Sequence, residues 1–235
     1  MERSKLPTRS IVCKILMSIA IIRIFTIINI KLMPDTLSHW DNVYQNKDHN
    51  QVSWHQDHAT ISFDWILEHT SKDDAIIDVG CGVSVLADNL LNEGYCKLSL
   101  LELSPTAIQT TKDRLKDHSD KVSFYNENIL DFQSNIQFDL WHDRAVFHFL
   151  TDEKHQQTYL NKLNQYLKFQ GYFLLATFAP TGPKECSELN IVQYDGNKIT
   201  QLLGNDFKLI KTTSETHPHP NGSTQDFNYF LFQKN

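Results

Sequence analysis

The chain has little cysteine and no excess of positive charge, and both features limit what it does. Its four cysteines, Cys13, Cys81, Cys96 and Cys186, form neither a Cys-x-x-Cys pair nor a zinc-binding spacing. We therefore predict a reduced, cytoplasmic location. We predict no metal site, because the alternating prolines of residues 217–220 favour an extended loop. Lys and Arg number 22 against 28 Asp and Glu, so the basic field of a nucleic-acid-binding protein is missing.

The N-terminal segment is apolar but lacks the features of a complete membrane span. Residues 11–30 are apolar, yet Lys14 and Arg23 interrupt them. A charge at the centre of a span costs about 2.5 to 3.5 kcal/mol, and no small-residue cleavage site follows. Three interpretations stay open: a dispensable leader, an anchor that associates the protein with a membrane, or a secretion signal. We predict that residues 1–33 precede a folded domain at 34–235.

The hydrophobic pattern of the domain alternates between helical and strand periods, which predicts an α/β fold. Strands are predicted at 75–79, 98–101, 122–125, from 138 onward, and at 172–178, 207–213 and 227–232. Helices are predicted at 58–69, 85–92, 105–118, from 151 to a stop at Gly171, and at 197–203. A helix between successive strands is what a parallel sheet requires.

The first predicted strand runs into a glycine turn at the start of a helix, an arrangement typical of loops that bind nucleotide-type ligands. Gly80 and Gly82 permit backbone angles that a Cβ would obstruct, and the helix offers free N–H groups at its N-terminus. Glu102 ends the next strand, where ribose hydroxyls need a carboxylate acceptor. A dinucleotide fingerprint needs a third glycine where this chain has Val85, so a nicotinamide cofactor is disfavoured.

The run Asp78-x-Gly80-x-Gly82 resembles motif I of the class I S-adenosylmethionine-dependent methyltransferases, and Glu102 matches the acidic residue after their second strand. The resemblance implies S-adenosyl-L-methionine as cofactor. It also implies a Rossmann-like, doubly wound, seven-stranded α/β sheet, mostly parallel with an antiparallel C-terminal hairpin. Asn128 lies where the family has an acidic residue near the adenine amine, which its amide oxygen can bind. The implied cofactor-binding residues are Asp78, Gly80, Cys81, Gly82, Glu102, Leu103, Asn128, Ile129, Trp54 and Asp143.

The fourth strand ends in Trp141-His142-Asp143-Arg144, a run similar to one in a bacterial group of class I methyltransferases and distantly similar to protein-lysine methyltransferases. Ligands of open α/β sheets bind beyond the carboxyl ends of the strands, so His142, Asp143 and Arg144 are predicted to face the pocket. Asp143, His148 and His142 are the candidate catalytic residues, which would remove a proton from the acceptor. The alternative is an ion pair between Asp143 and Arg144 that only holds the loop.

Two segments before the first strand are candidates for a lid. Residues 37–44 are predicted as a short helix, and an aromatic-rich loop follows at 52–55. The resemblance implies that such a lid closes over the methionine end of the cofactor, with Tyr44, Trp54 and His55 as candidates. The alternative is that the aromatic rings only pack the lid onto the core.

The resemblance implies methyl transfer to an amine, hydroxyl or thiol, on a small molecule or on a protein lysine. Holding the nucleophile in line with the activated methyl group carries most of the rate, so an acid–base pair is not obligatory. The alternatives are a non-catalytic module that senses the cofactor and, less favoured, a nicotinamide-dependent oxidoreductase. The sequence assigns neither the methyl acceptor nor an oligomeric state.

Overall fold

The computed structural model describes residues 36–48, 51–219 and 222–235. The chain divides between His39 and Trp40, and the unit from Trp40 onward contains the sheet and the cleft. The predicted leader at 1–33, with its apolar segment at 11–30, lies outside the described residues. Within the described ranges, every helix falls short of the length and apolar character that a membrane span requires.

A seven-stranded mixed sheet forms the centre of this unit. The strands are β1 Ile76–Val79, β2 Leu98–Glu102, β3 Val122–Asn126, β4 Phe138–Arg144, β5 Leu167–Phe178, β6 Glu185–Cys186, β7 Leu189–Asn190, β8 Phe207–Pro218 and β9 Thr224–Lys234. The sheet order is β3-β2-β1-β4-β5-β9-β8, and β6 and β7 form a separate two-stranded sheet. Strands β1 to β5 pair in parallel, whereas β9 is antiparallel to β5 and β8. The predicted sheet with an antiparallel C-terminal hairpin is confirmed.

The described residues form six α-helices, and polar side chains cap several of their starts. They are α1 Thr36–Asn46, α2 Thr60–His69, α3 Leu86–Asn92, α4 Pro105–Arg114, α5 Glu153–Tyr166 and α6 Gly196–Leu203. Ser104 Oγ accepts from Ala107 N at 3.1 Å at the start of α4, with Pro105 at the first helical position. Asp152 accepts from Lys154 N at 2.8 Å at the start of α5. These caps fix both helix starts on the carboxyl side of the sheet.

Alternating strand residues fill two hydrophobic cores, one on each face of the sheet. Ile76 packs in the first core with apolar residues of α2 and α3, whereas Ile77 and Val79 pack in the second with those of α5 and α6. Trp141, fully buried in the second core, donates from Nε1 to Tyr159 Oη at 2.9 Å. Because both faces are covered, a ligand reaches the parallel strands at their carboxyl edge.

The prediction that Gly171 ends a helix is wrong. Helix α5 ends at Tyr166 and β5 begins at the next residue, with Gln170 at φ +62° and Gly171 inside the strand. A Cβ on Gly171 would lie 2.9 Å from Lys168 O and 3.0 Å from Asp139 O, where the register between β4 and β5 shifts. The close approach of the strands therefore requires the glycine.

The loop predicted at residues 217–220 is also corrected, because His217 and Pro218 belong to β8 and pair with β9. His217 is buried, and its Nε2 lies 3.0 Å from Ser53 O. Among the residues that the structure describes, no three His, Cys, Asp or Glu side chains are grouped so that they could hold a metal ion.

Candidate active site

A cleft opens at the carboxyl edge of the sheet, beyond β1 and β4. About 540 Å³ of empty space, part of it open to solvent, lies between its walls. The lining residues are Val52, Trp54, His55, Gln56, Ala59, Asp78, Gly80, Cys81, Val83, Ser84, Leu86, His142 and Arg144. The cleft thus brings together seven residues that the sequence analysis places at the site: Trp54, His55, Asp78, Gly80, Cys81, His142 and Arg144.

The loop after β1 has a conformation that requires its glycines. Gly80 and Gly82 have φ angles of +65° and +51°, in the left-handed region. A Cβ on Gly80 would overlap with Val146 Cγ2, and one on Gly82 would overlap with Tyr44 Oη. The N–H of Gly80 donates to Leu101 O at 2.7 Å, which ties the loop to β2. The glycines therefore bring the main chain to the floor of the cleft.

Glu102 supports the glycine loop from the end of β2. Its carboxylate accepts from Gly82 N at 2.9 Å and from Ser104 N at 2.8 Å. Burial raises the pKa of Glu102 to about 6, and the backbone donors of Ser104 and Gly82 partly oppose this shift. The side chain faces the loop and is not part of the cleft lining. Each carboxylate oxygen keeps a second lone pair for a further donor.

Asp78 and His142 form a buried hydrogen-bonded chain at the cleft floor. His142 Nδ1 lies 2.6 Å from Asp78 Oδ1, and His142 Nε2 lies 2.8 Å from Ser62 Oγ. Since both ring nitrogens are engaged, His142 positions the Asp78 carboxylate and lacks the free nitrogen that a base needs. The sequence does not predict the contact with Ser62, which lies 80 residues from His142.

Asp143 points away from the cleft, which corrects its predicted position. Its carboxylate accepts from Tyr159 Oη at 2.6 Å and from Val146 N at 2.9 Å, so it holds the turn after β4. Burial raises its pKa to about 6, opposed first by the Tyr159 hydroxyl. Successive strand residues face opposite sides of a sheet, so Asp143 faces α5 whereas His142 and Arg144 face the cleft. The alternative ion pair with Arg144 is also wrong, because Arg144 has other partners.

His148 is also enclosed and does not line the cleft. It is fully buried between Phe149 and Phe178, with ring centroids 4.4 and 4.8 Å away. Burial, and then the charge of Arg144, lower the pKa of His148 to about 3. A base this weak and this enclosed does not suit the predicted proton-removing role. Its Nδ1 accepts from Phe178 N at 3.4 Å, so the proton of the neutral ring is assigned to Nε2.

Arg144 links the cleft to the C-terminal strands. Its Nε donates to Tyr229 Oη at 3.0 Å, and its Nη1 donates to Trp54 O at 2.9 Å. The guanidinium carbon lies 4.7 Å from the centroid of the Phe227 ring. Tyr229 Oη donates in turn to Glu215 Oε2 at 2.7 Å. The sequence places Arg144 at the pocket but gives no signal for partners 85 and 90 residues away.

The second half of α1 lies over the glycine loop. Asp41 accepts from Ser104 Oγ at 2.8 Å, which fixes this helix to the start of α4. The hydroxyl of Tyr44 lies against Gly82. The Tyr44 ring is 6.2 Å from that of Trp54, in an edge-to-face arrangement. Trp54 therefore both packs against Tyr44 and lines the cleft, and its contact with a ligand stays a prediction.

Like Gly82, Glu102 and Asp143, three further residues predicted from the resemblance lie outside the cleft lining. Asn128 Oδ1 accepts from Leu130 N at 2.9 Å and holds the turn after β3. Ile129 is buried in the second core, and Leu103 O accepts from Asn126 Nδ2 at 2.9 Å. Since the Asn128 amide oxygen keeps one lone pair, its role at the adenine stays a prediction, as do the roles of Leu103 and Ile129.

The cleft chemistry fits an adenosyl sulfonium compound. Such a compound presents a positive sulfur and an ammonium group, and Asp78 supplies a carboxylate at the cleft floor. The Cys81 thiol does not compete as a nucleophile, because burial raises its pKa well above the usual range. The glycine loop supplies a close approach of the main chain, and the role of Glu102 as acceptor for the ribose stays a prediction.

These features define a class I S-adenosylmethionine-dependent methyltransferase domain. The chain belongs to the methyltransferase domain family, whose model matches residues 70–220. It is 27% identical over 133 residues to malonyl-acyl-carrier-protein O-methyltransferase 1 of Ilyobacter polytropus, covering 56% of this chain and 48% of that protein. It is 24% identical over 159 residues to human EEF1A lysine methyltransferase 2, covering 60% and 67%. The chain thus spans about half the length of the first of these relatives.

Solved methyltransferase structures share the fold. One is the N-methyltransferase NodS of Bradyrhizobium japonicum in complex with S-adenosylhomocysteine, with a TM-score of 0.64, 15% identity, and coverage of 85% of this chain and 99% of that one. Another is a methyltransferase of Anabaena variabilis, with a TM-score of 0.66, 12% identity, and coverage of 86% and 96%. The predicted domain class and its cofactor, S-adenosyl-L-methionine, are confirmed.

Proposed function

We propose that this protein transfers the methyl group of S-adenosyl-L-methionine to an acceptor that enters the cleft beside Trp54 and Arg144. The observation that carries the proposal is the left-handed glycine loop at Gly80 and Gly82, which lies at the carboxyl edge of the sheet with Asp78 and Glu102 beneath it. When bound, the cofactor supplies an activated methyl group, whose transfer leaves the bonding electron pair on sulfur.

In this proposal the residues of the chain bind and orient the cofactor. Asp78, held by His142, faces the cationic methionine end, and Glu102 receives the ribose hydroxyls. The main chain of Gly80, Cys81 and Gly82 would hold the cofactor. The resemblance adds Leu103, Asn128, Ile129 and Trp54 to the proposed cofactor site. We assign no proton transfer to Asp143 or His148.

The acceptor class is open between two kinds of molecule. The Ilyobacter relative is named for methylation of an oxygen on a protein-bound malonyl group, and the human relative is named for methylation of lysine. Both fit methyl transfer to a nucleophile held in line with the activated methyl group. A small molecule and a protein lysine therefore both remain candidates for this chain.

Calorimetric titration of the purified protein with S-adenosylmethionine, S-adenosylhomocysteine and NAD tests the proposal. We expect heat of binding for the first two and none for NAD. Binding of NAD, or no binding of the adenosyl compounds, would contradict it. A screen of amines, hydroxyl compounds and thiols with tritiated methyl donor then separates an enzyme from a sensing module, which would bind the cofactor without transferring the label.

A further inference from the structure

Arg144 has an unused hydrogen-bond donor at the wall of the cleft. Among the described residues, its Nη2 is buried and has no partner, although Nε and Nη1 are both bonded. A guanidinium is charged at every physiological pH. Buried donors in native proteins are seldom left without an acceptor, so an acceptor atom from outside the chain is expected beside this nitrogen. The position of Arg144 in the cleft lining makes a ligand atom the natural acceptor.

The positive charge of Arg144 also lacks a direct counter-charge. In the described part of the chain, no carboxylate lies within 4.0 Å of the Arg144 guanidinium nitrogens, and every ion pair is formed by other residues. The two bonded nitrogens face neutral oxygens, the Trp54 carbonyl and the Tyr229 hydroxyl. Glu215 is linked only through Tyr229, and it also accepts from Gln56 Nε2 at 3.0 Å. A negatively charged ligand would complete this arrangement, whereas a lysine ammonium would meet a like charge.

The shape of the guanidinium selects among anions. Its Nη2 carries two N–H groups in the guanidinium plane, and neither has a partner among the described residues. Carboxylates match a guanidinium in this way, because their oxygens lie in one plane with its N–H groups.

We propose that the methyl acceptor carries a carboxylate, which Arg144 binds through Nη2. The inference rests on the proposed methyl transfer and narrows its acceptor to acidic molecules. His142 pairs with Asp78 across β4 and β1, so Arg144 lies two residues further toward the cleft mouth.

Titration of the protein–S-adenosylhomocysteine complex, followed by NMR, tests this inference with benzoate and succinate as probes and benzamide and succinamide as neutral matches. We expect the acids to bind at least about fivefold more tightly than the amides. Arg144→Met should abolish the preference, and Arg144→Lys, which keeps the charge but not the planar fork, should reduce it. Lys184→Met, which removes an exposed charge from the loop after β5, should leave it unchanged.

Equal binding of acids and amides by the wild-type complex would overturn the inference, and this result needs no variant to fold. An unchanged preference in Arg144→Met would also overturn it. If Arg144→Met weakens S-adenosylhomocysteine more than about tenfold but leaves 5′-methylthioadenosine unaffected, Arg144 serves the cofactor's own carboxylate and the acceptor assignment is wrong. Failure of wild-type protein to bind S-adenosylhomocysteine would contradict the proposed function instead.

Discussion

The cleft has a glycine-loop half around Gly80, Gly82 and Glu102, and an Arg144 half around Arg144 and its partners. The Glu102 carboxylate bonds to main-chain donors that are near in the sequence, whereas Arg144 bonds to residues far along the chain. The partners of Glu102 lie 2 and 20 residues away, and those of Arg144 lie 85 and 90 residues away. The first half is fixed mainly by main-chain donors. The second is fixed by tertiary contacts and, among the described residues, keeps an unused donor. The glycine-loop half therefore suits the cofactor, and the unused donor of the Arg144 half suits the proposed acceptor.

Gly80→Ala should have the largest effect, because the glycine-loop half depends on main-chain geometry. Alanine at a φ of +65° carries about 1 to 2 kcal/mol of left-handed strain. Its Cβ would also overlap with Val146, and overpacking costs about 1 to 3 kcal/mol. We expect the free energy of unfolding in urea to fall by about 2 to 5 kcal/mol. Calorimetry should show cofactor affinity reduced at least about tenfold.

Gly204→Ala is the matched control for this variant. Gly204 has a φ of +64°, but a Cβ there would meet no atom within 4 Å. With ψ at −150°, Gly204 lies in a region of backbone conformation that is essentially limited to glycine, so alanine there costs about 1 to 3 kcal/mol from backbone strain alone. Cofactor affinity should not change. Equal losses of stability and of cofactor affinity in the two variants would show that the limited space around Gly80 does not matter.

Glu102→Gln tests the charge of the glycine-loop half. The amide oxygen accepts from only one side, so Gly82 N or Ser104 N would face an amide NH₂ instead of an acceptor. Hydrogen bonds to a charged group contribute about 1.5 to 3 kcal/mol, so affinity for S-adenosylhomocysteine should fall by about 10- to 100-fold. Glu153→Gln, at an exposed carboxylate in the first turn of α5, should bind as the wild type does. Calorimetric titration of both variants with S-adenosylhomocysteine measures the two affinities.

Asp143→Asn should cost stability instead of activity, because its carboxylate lies outside the cleft. It accepts from Tyr159 Oη and from the main chain of Val146, and the loss of charge at these bonds costs about 1.5 to 3 kcal/mol of unfolding free energy. Turnover per folded molecule should stay within about threefold of wild type. A folded variant with turnover reduced a hundredfold would restore Asp143 to the catalytic residues.

The pH dependence of cofactor binding should separate the two buried carboxylates. Burial raises the pKa of Glu102 from 4.5 to about 6. The folded protein therefore holds an extra proton between these values, and the stability that Glu102 contributes falls as pH rises through this window. Cofactor affinity should rise over the same window, because the ionised carboxylate is the better acceptor. Asp143→Asn should keep this rise although Asp143 also has a pKa of about 6, and Glu102→Gln should flatten it.

Short stretches of chain are enough to predict the glycine-loop half. The apolar run before Gly80, the acidic end of β2 and the Ser104 cap each lie within a few residues, and the structure shows all three. The prediction for Gly171 fails because a glycine after a helix resembles a helix stop, whereas here it permits close strand packing. The sequence does contain a signal that Asp143 faces away from the cleft. Side chains alternate along a strand, so Asp143 faces the side of the sheet opposite to His142 and Arg144.

The Arg144 half is beyond prediction for a physical reason. Its partners come from the loop before α2 and from β8 and β9, and no periodicity along the chain relates these segments. Tyr229 lies on the inner face of β9 with Phe227, which alternation predicts. The contact between the Phe227 ring on β9 and the Arg144 guanidinium at the end of β4 follows only from the strand order, in which β5 lies between β4 and β9.

Tyr229→Phe should have the smallest effect, because it removes one hydroxyl and keeps the ring that packs on Trp65 at 6.4 Å. The hydroxyl joins Arg144 Nε to Glu215 Oε2, so its loss should cost about 1 kcal/mol of unfolding free energy and leave cofactor affinity unchanged. In a double-mutant cycle with Glu215→Gln, the two changes should cost less together than the sum of the single losses, by about 0.5 to 1 kcal/mol. Strictly additive losses would show that the hydroxyl and the carboxylate act separately. The Arg144 half would then consist of independent contacts, and the guanidinium would depend for its position on Trp54 and Phe227 alone.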